Sequence, residues 1–241
     1  MRMLNFAKRN FKELVRDPLN LIFEIALPIF LLIIFQQFNI PEEAYKLENF
    51  TPGIIIFGFS FITLFTGSLI AKDRESSLLI RLGTSPMKPK DYILGYILSL
   101  IPIVLIQIIL FFMVAIIMGL SFNINIIYSL FISIIISIFF ITIGILIGSL
   151  VSEKGVGGVG SVIVQLVCFT SGMYFSKDLV GKVFAKICEI LPFESMLNII
   201  KCTLNNNIVE FKNIAVFLIY TIITLVISIY VFKIRMVSDN K

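Results

Sequence analysis

The sequence contains few side chains that could perform chemistry, and their spacing argues against most kinds of catalytic centre. Histidine is absent from all 241 residues, which removes the commonest metal ligand and proton carrier. The cysteines Cys168, Cys188 and Cys202 lie too far apart for a zinc-binding pattern. Cys188 and Cys202 could pair if both face outward, but we expect all three to be thiols. No combination of nucleophile, base and acid indicates an enzyme.

Phosphate-binding motifs give no better indication of catalysis. The chain has no Gly-x-x-x-x-Gly-Lys-Ser/Thr loop, so it cannot bind and hydrolyse ATP by that route. Residues 155–160 match Gly-x-Gly-x-x-Gly formally, but no strand precedes them. We therefore expect these glycines to allow close packing between helices.

The most informative polar segment reads Lys-Asp-Arg-Glu-Ser-Ser-Leu-Leu-Ile-Arg-Leu-Gly-Thr-Ser-Pro over residues 72–86. Acidic residues early in the segment favour the first turn of a helix. Leucines at helical spacing then form an apolar ridge, and a glycine and a proline end the helix. A short helix of this kind can dock into a groove of another protein or lie on lipid, and the residues themselves leave both possibilities open.

The rest of the chain is built from long apolar blocks. Of all residues 58% are hydrophobic and 15% charged, and six blocks approach the length of about 20 residues that a bilayer requires. They lack the alternation of a transmembrane barrel, so helices are predicted. The fold class is therefore all-α: a polytopic membrane protein with spans at 21–38, 51–71, 92–119, 127–150, 159–175 and 213–233.

Lysine and arginine indicate the orientation of these spans. Five of them lie in residues 1–17 and five in the loop 72–90, whereas the intervening loop has only Lys46. The positive-inside rule then places both termini in the cytoplasm and the protein in the cell membrane. The basic loop after the fifth span, 176–205, is an exception, and we interpret it as an extracellular re-entrant hairpin of two short helices.

Two further features concern the membrane surface and the membrane interior. Residues 1–18 predict a basic amphipathic helix in the interface, preceding a membrane domain over 19–241. Phe6 does not fit its apolar face, which consists of Leu4, Ala7, Phe11, Leu14 and Val15. Glu24 is the one charge within a span, and we expect it to snorkel or to start the helix rather than couple transport to an ion.

At the segment 72–86 the chain resembles the permease subunits of ABC transporters of the ABC type-2 family. That family carries a pattern close to Glu-Arg-Glu-x-Gly-Thr-Leu-x-x-Leu-x-x-Thr-Pro, and the matching positions here are Asp73, Arg74, Glu75, Leu79, Leu82, Ser85 and Pro86. Gly95-Tyr96 stands where a Gly-Lys pair often opens the third helix. Later positions that resemble the family are Ser171-Gly172, Pro192 and Lys201.

The resemblance implies a six-helix exporter domain that works with separate ATP-binding subunits. Two permease chains, identical or different, would combine with two copies of the ATPase subunit, which would hold ATP and Mg²⁺; this chain would need no cofactor. The loop 72–90 would carry the coupling helix that enters a groove of the ATPase. The residues implied to contact it are Asp73, Arg74, Glu75, Leu79, Arg81, Leu82 and Pro86.

Polar side chains within the spans are candidates for the transport path. Thr63, Thr66, Gln165 and Ser171 could face it, although hydrogen bonds between helices would also explain them. The scarcity of charge favours an amphipathic or lipid-like cargo such as a drug, an antimicrobial peptide or a lipid-linked molecule. No feature indicates nucleic-acid binding. The alternatives are a membrane immunity or assembly factor that moves nothing and an ion-coupled carrier.

Overall fold

The computed structural model of the chain describes residues 2–38, 43–76, 89–174 and 181–238. Over these residues the chain forms nine long or short helices and no strand, which confirms the predicted all-helical, polytopic fold. In chain order the helices are α1 (Arg2–Val15), α2 (Pro18–Gln37), α3 (Leu47–Glu75), α4 (Pro89–Ile117), α5 (Ile124–Leu150), α6 (Glu153–Thr170), α7 (Lys182–Ile190), α8 (Pro192–Leu204) and α9 (Phe211–Ser238).

Five of the described helices, α2, α3, α4, α5 and α9, are long and apolar enough to cross a membrane. The fifth predicted span, 159–175, forms α6, which has 18 residues and begins earlier than predicted, in a polar first turn. Nevertheless α6 runs from one end of the bundle to the other. Its first backbone N–H, at Glu153, contacts Glu75, and the carbonyl of Tyr174 beyond its last turn accepts a hydrogen bond from Tyr45 at the opposite end.

The centre of the bundle is the crossing of α3 and α5, around which α4, α6, α8 and α9 pack. The helices approach closely because Gly148 has no side chain: a Cβ atom there would collide with the carbonyl oxygen of Gly67. The prediction that the glycines of residues 155–160 pack against another helix holds for Gly160, which contacts Leu64. It does not hold within this chain for Gly157 and Gly158, whose Cβ positions have no described atom within 4 Å.

A local change of helix geometry occurs in α2, where residues Ile22–Ala26 form a π-helical turn. Pro28 has no backbone N–H, so the carbonyl of Glu24, four residues earlier, loses its usual helical donor. The side-chain amide of Gln107 in the middle of α4 replaces that donor, at 3.0 Å. The Glu24 side chain is only 3% exposed, so the prediction that it snorkels to the membrane surface is wrong.

Polar contacts distinguish the two ends of the bundle. We call one end the basic end, because it holds the cations of α1, of Lys72 and of Lys154. The other end, the aromatic end, holds the stacked ring of Tyr45 on Phe35, with their centroids 5.6 Å apart, and the ring of Phe50. Residues 39–42, which directly follow the predicted first span, lie outside the described residues.

The stretch after α6 folds into two short helices at the aromatic end; residues 175–180, which include the start of the predicted hairpin 176–205, lie outside the described part of the chain. Phe193, at the start of α8, packs against Phe139 and Phe140 near the middle of α5. The following helix α9 is held to this pair by the hydroxyl of Tyr220, which donates to the carbonyl of Ile190 at 2.8 Å. The three cysteines, Cys168, Cys188 and Cys202, are thiols, as predicted.

The amphipathic helix α1 forms as predicted, and the face that it buries against protein keeps Ala7 and Leu14 of the predicted face but adds Phe6. Phe6, which the helical pattern left outside the apolar face, is buried and meets the rings of Tyr92 and Tyr96 edge-on, at centroid distances of 5.5 and 5.0 Å. Leu4 and Val15, assigned to that face, are exposed. The helix is therefore docked on the start of α4, and its tertiary contacts override its hydrophobic period.

Candidate functional site at the basic end

The last turn of α3 contains a fully buried carboxylate. Asp73 accepts hydrogen bonds from Arg9 Nη1 at both of its oxygens, at 2.7 and 2.8 Å, and a third from the hydroxyl of Tyr96 at 2.8 Å. A buried carboxylate needs this many donors to offset the loss of its hydration shell. Asp73 therefore joins three elements, because Arg9 lies on α1 and Tyr96 on α4.

A second acidic residue strengthens the contact between α1 and α3. Glu13 binds Arg9 Nη2 on its own helix at 2.5 Å and Lys72 Nζ on α3 at 2.9 Å. These ion pairs are partly exposed, so each contributes less than the buried contact of Asp73. Together they fix α1 against the end of α3 along more than one helical turn.

The next residue of α3 reaches a different neighbour. The guanidinium of Arg74 donates to the carbonyl of Ser149 and, at 2.9 Å, to the carbonyl of Val151. Both carbonyls lie at the C-terminal end of α5, where backbone acceptors have no partner within the helix. Arg74 therefore caps α5 and places a positive charge at the negative end of its dipole.

The third residue in the series contacts a fourth helix. The carboxylate of Glu75 accepts a hydrogen bond from the backbone N–H of Glu153 at 2.8 Å, at the N-terminus of α6. Helix N-termini present N–H groups without intrahelical partners, and an acidic side chain is the favoured acceptor there. Glu75 thus supplies from another helix the cap that α6 needs.

Three consecutive residues, which we call the Asp73–Glu75 tripeptide, therefore join the end of α3 to four other helices. Asp73 reaches α1 and α4, Arg74 reaches α5, and Glu75 reaches α6. A displacement of the end of α3 would be transmitted directly to each of these helices. This connectivity is a mechanical property of the site, and no bound metal or cofactor is needed for it.

The structure places the predicted coupling residues in two groups. Asp73, Arg74 and Glu75 are described, and their polar contacts face their own bundle. The remaining four, Leu79, Arg81, Leu82 and Pro86, lie outside the described residues, so contact with a partner protein stays a prediction. Sequence analysis missed Arg9 and Tyr96 as partners of Asp73. Tyr96 could have been noticed as a hydroxyl near the polar start of an apolar helix, whereas nothing in the sequence singles out Arg9 among the cations of α1.

The four predicted path residues do not form one cluster. Thr63 is buried on α3 and donates to the carbonyl of Phe140 on α5 at 2.9 Å, and Thr66, also buried, packs one turn further along α3. Ser171 is buried at the end of α6. Gln165 is exposed on the outer side of α6, in an apolar groove of about 440 Å³. That the four line a path stays a prediction.

The family model of ABC-2 type transporters matches residues 3–203, a range that includes α1, the Asp73–Glu75 tripeptide and nearly all of α8. The chain belongs to the ABC-2 type transporter family. No single curated protein matches it.

As a member of the ABC-2 family, the chain is a multi-pass membrane protein and a permease component of an ABC transporter. The family match concerns the membrane domain rather than an ATP-binding domain. Permeases of the ABC-2 family generally work with an ATP-binding subunit and form dimers. The tripeptide therefore lies at the start of the loop 72–90, in which the family resemblance predicts the contact with that subunit.

Proposed function

We propose that the chain is the membrane subunit of an ATP-driven exporter that moves an amphipathic or lipid-like cargo out of the cell. Two copies of a separate ATPase subunit hold ATP and Mg²⁺, and a second permease chain completes the transporter. The ATPase contacts the segment that follows Glu75, where Leu79 and Leu82 form the apolar contact and Arg81 and Pro86 lie beside it. This chain contributes no chemical step.

The observation that carries this proposal is the position of the Asp73–Glu75 tripeptide. When the two ATPase subunits close on ATP, they push on the segment after Glu75 and so displace the end of α3. The buried ion pair of Asp73 moves α1 and α4 with it, and the backbone contacts of Arg74 and Glu75 move α5 and α6. Rigid helices joined at one end respond to such a push by tilting as a group.

The distribution of charge supports a cytoplasmic basic end. Cations near a membrane surface favour the cytoplasmic side, and this end of the bundle groups Lys8, Lys12, Arg16, Lys72 and Lys154. In a variant without native cysteines, Leu79→Cys should react with an impermeant thiol reagent only when the cytoplasmic face is open to it. Ile208→Cys, at the exposed aromatic end, should react only from outside the cell. Labelling of position 79 from outside would contradict the orientation.

The outer side of α6 supports contact with the second permease chain. Its exposed positions include Gly157, Gly158, Ser161 and Gln165, which are smaller or more polar than the exposed isoleucines and leucines of α9. Small and polar residues on a membrane helix favour contact with another helix over contact with lipid. Gln165 then lies between the two chains, where a path between two bundles would run.

The test of the proposal is a double substitution, Leu79→Asp and Leu82→Asp, in the complex with its ATPase. Two charges in an apolar contact should abolish transport while ATP hydrolysis continues. The matched control is Ile208→Asp with Phe211→Asp, which alters two exposed apolar residues at the aromatic end and should leave transport unchanged. Unaltered transport by the first variant would show that the segment is not the coupling contact.

The buried carboxyl of Glu24 is an observation that favours the alternative of an ion-coupled carrier, because an acidic side chain inside the membrane often binds the coupling ion. In an ATP-driven exporter, Glu24→Gln leaves transport dependent on ATP. If transport instead follows an ion gradient without ATP and Glu24→Gln abolishes it, the chain is a carrier. A stable complex that never hydrolyses ATP would indicate an immunity or assembly factor.

A further inference from the structure

A cleft of about 1170 Å³ opens at the basic end between α1, the start of α2, the second half of α3 and the start of α6. It is separate from the buried contacts of Asp73, although Arg9 and Glu13 lie on its wall. Neither the match to the ABC-2 family nor the proposed export function gives this cleft a role. Its lining combines a basic region with an apolar region.

One region of the cleft is basic. Six of its lining side chains are cationic and three are acidic, but two of the acids already have partners. Glu13 binds Arg9 and Lys72, and Asp17 caps α2 by accepting hydrogen bonds from Asn20. The remaining acid is Glu153. Four cations that form no ion pair within the described part of the chain also line the cleft: Lys8, Lys12, Arg16 and Lys154. The cleft is therefore strongly attractive to an anion.

A second region of the cleft is apolar. Leu14, Phe65 and Leu69 line it and are themselves almost fully buried, at 8%, 3% and 5% exposure. Leu19 at its edge is 67% exposed, on the same side as the apolar outer face of α2. The cleft thus joins a cationic region to a surface that faces acyl chains. A small soluble anion would use only the first of these regions.

We propose that this cleft binds an anionic phospholipid, with its phosphate-bearing headgroup among Lys12, Arg16 and Lys154 and an acyl chain over Leu14, Phe65 and Leu69. Arginine binds a phosphate through two parallel hydrogen bonds, and the lysines add point charges on either side. Basic pockets between helices at the cytoplasmic surface are the usual form of such sites. Because Lys154 lies on α6, Lys12 lies on α1 and Arg16 directly follows α1, the lipid headgroup connects two helices that the tripeptide joins only through α3.

The proposal can be tested on the purified full-length chain, without its ATPase, by native mass spectrometry and by competition between lipids. The probes are phosphatidylglycerol, phosphatidylcholine with the same acyl chains, and glycerol phosphate as the headgroup without a tail. We expect the chain to retain phosphatidylglycerol at least tenfold better than phosphatidylcholine. Glycerol phosphate at millimolar concentration should not displace it.

The variant is the triple substitution Lys12→Gln, Arg16→Gln and Lys154→Gln, which should reduce the preference for phosphatidylglycerol to about that for phosphatidylcholine. The control makes the same change in net charge elsewhere, with Lys182→Gln, Lys186→Gln and Lys233→Gln, and should keep the preference. All six side chains are exposed, so none of these changes disturbs the core. Two results would overturn the proposal: equal retention of phosphatidylglycerol by the two triple variants, or displacement of phosphatidylglycerol by glycerol phosphate alone. Neither result depends on transport, so the proposed function is tested separately.

Discussion

At the scale of single residues, the buried carboxylate of Asp73 organises the basic end. Replacing it by alanine removes two of the acceptor oxygens of Arg9 and leaves Tyr96 with an unpaired hydroxyl, so we expect Asp73→Ala to lower the free energy of unfolding by about 2–3 kcal/mol. The value is below that for a wholly buried pair because Arg9 is 39% exposed and can regain water.

Tyr96→Phe removes only the third hydrogen bond of Asp73, and it should cost about 1–2 kcal/mol. Thermal unfolding in detergent, followed by circular dichroism, measures both variants. Lys46→Ala breaks an exposed ion pair with Glu43 at the aromatic end and serves as the control, with no measurable change expected. An Asp73→Ala protein as stable as wild type would mean that α1 is not held by this contact.

Glu24 is the opposite case, a buried carboxyl with no hydrogen-bond partner for its Oε1 in the described structure. A buried polar atom without a partner destabilises the fold, so Glu24→Leu, which has a similar volume, should raise the free energy of unfolding by about 1–3 kcal/mol. The bond from Gln107 goes to the backbone of Glu24 and survives the change. Glu48→Leu, at an exposed position, is the control and should give no gain. A lower melting temperature for Glu24→Leu would show that the carboxyl binds something.

At the scale of elements, the docking of α1 on α4 depends on a glycine. A Cβ atom at Gly95 would lie 2.6 Å from the ring of Phe6, so Gly95→Ala should push α1 away and cost about 1–3 kcal/mol. Combining it with Phe6→Leu, which shortens the opposing side chain, should recover part of that loss in a double-mutant cycle. Gly158→Ala is the matched control: its Cβ position is open, and alanine favours a helix. Strict additivity of the two changes would contradict the docking.

The positions of the membrane spans could be predicted from the sequence, whereas some of the contacts between them could not. Spans follow from composition, because a bilayer requires long apolar helices, and the six predicted blocks correspond to α2 through α6 and α9. The face on which α1 docks was not predictable, since the burial of Phe6 depends on a gap left by Gly95, 89 positions further along the chain. The burial of Glu24 likewise depends on Pro28 and on Gln107 of another helix. Local patterns carry no information on such pairings.

Within the candidate site the same limit applies. Asp73, Arg74 and Glu75 were selected through their resemblance to a family pattern, and the structure describes contacts for all three. Their roles could not be read from that pattern, since each depends on the end of a different helix. A carboxylate before a polar loop is ordinarily expected to face water, whereas Asp73 is completely buried.

At the scale of the whole molecule, the basic end differs from the rest of the bundle in how its parts are connected. Through most of their length the helices meet by apolar packing, which allows small sliding motions. At the basic end, charged hydrogen bonds fix five helices to one another, and these bonds have narrow ranges of distance and angle. A force applied there would therefore move these five helices together.

Arg74 gives the sharpest test of this mechanical role, because its guanidinium donates to the backbone carbonyls of Ser149 and Val151 at the end of α5. In the complex with its ATPase, Arg74→Ala should reduce cargo moved per ATP hydrolysed at least tenfold, since α5 no longer follows α3. Arg74→Lys retains the charge but cannot hold both carbonyls in one planar fork, so an intermediate loss is expected. Arg235→Ala removes an exposed arginine near the end of α9 and should leave the ratio unchanged. If Arg74→Ala lowers hydrolysis and transport equally, the residue positions the ATPase contact and does not transmit its motion.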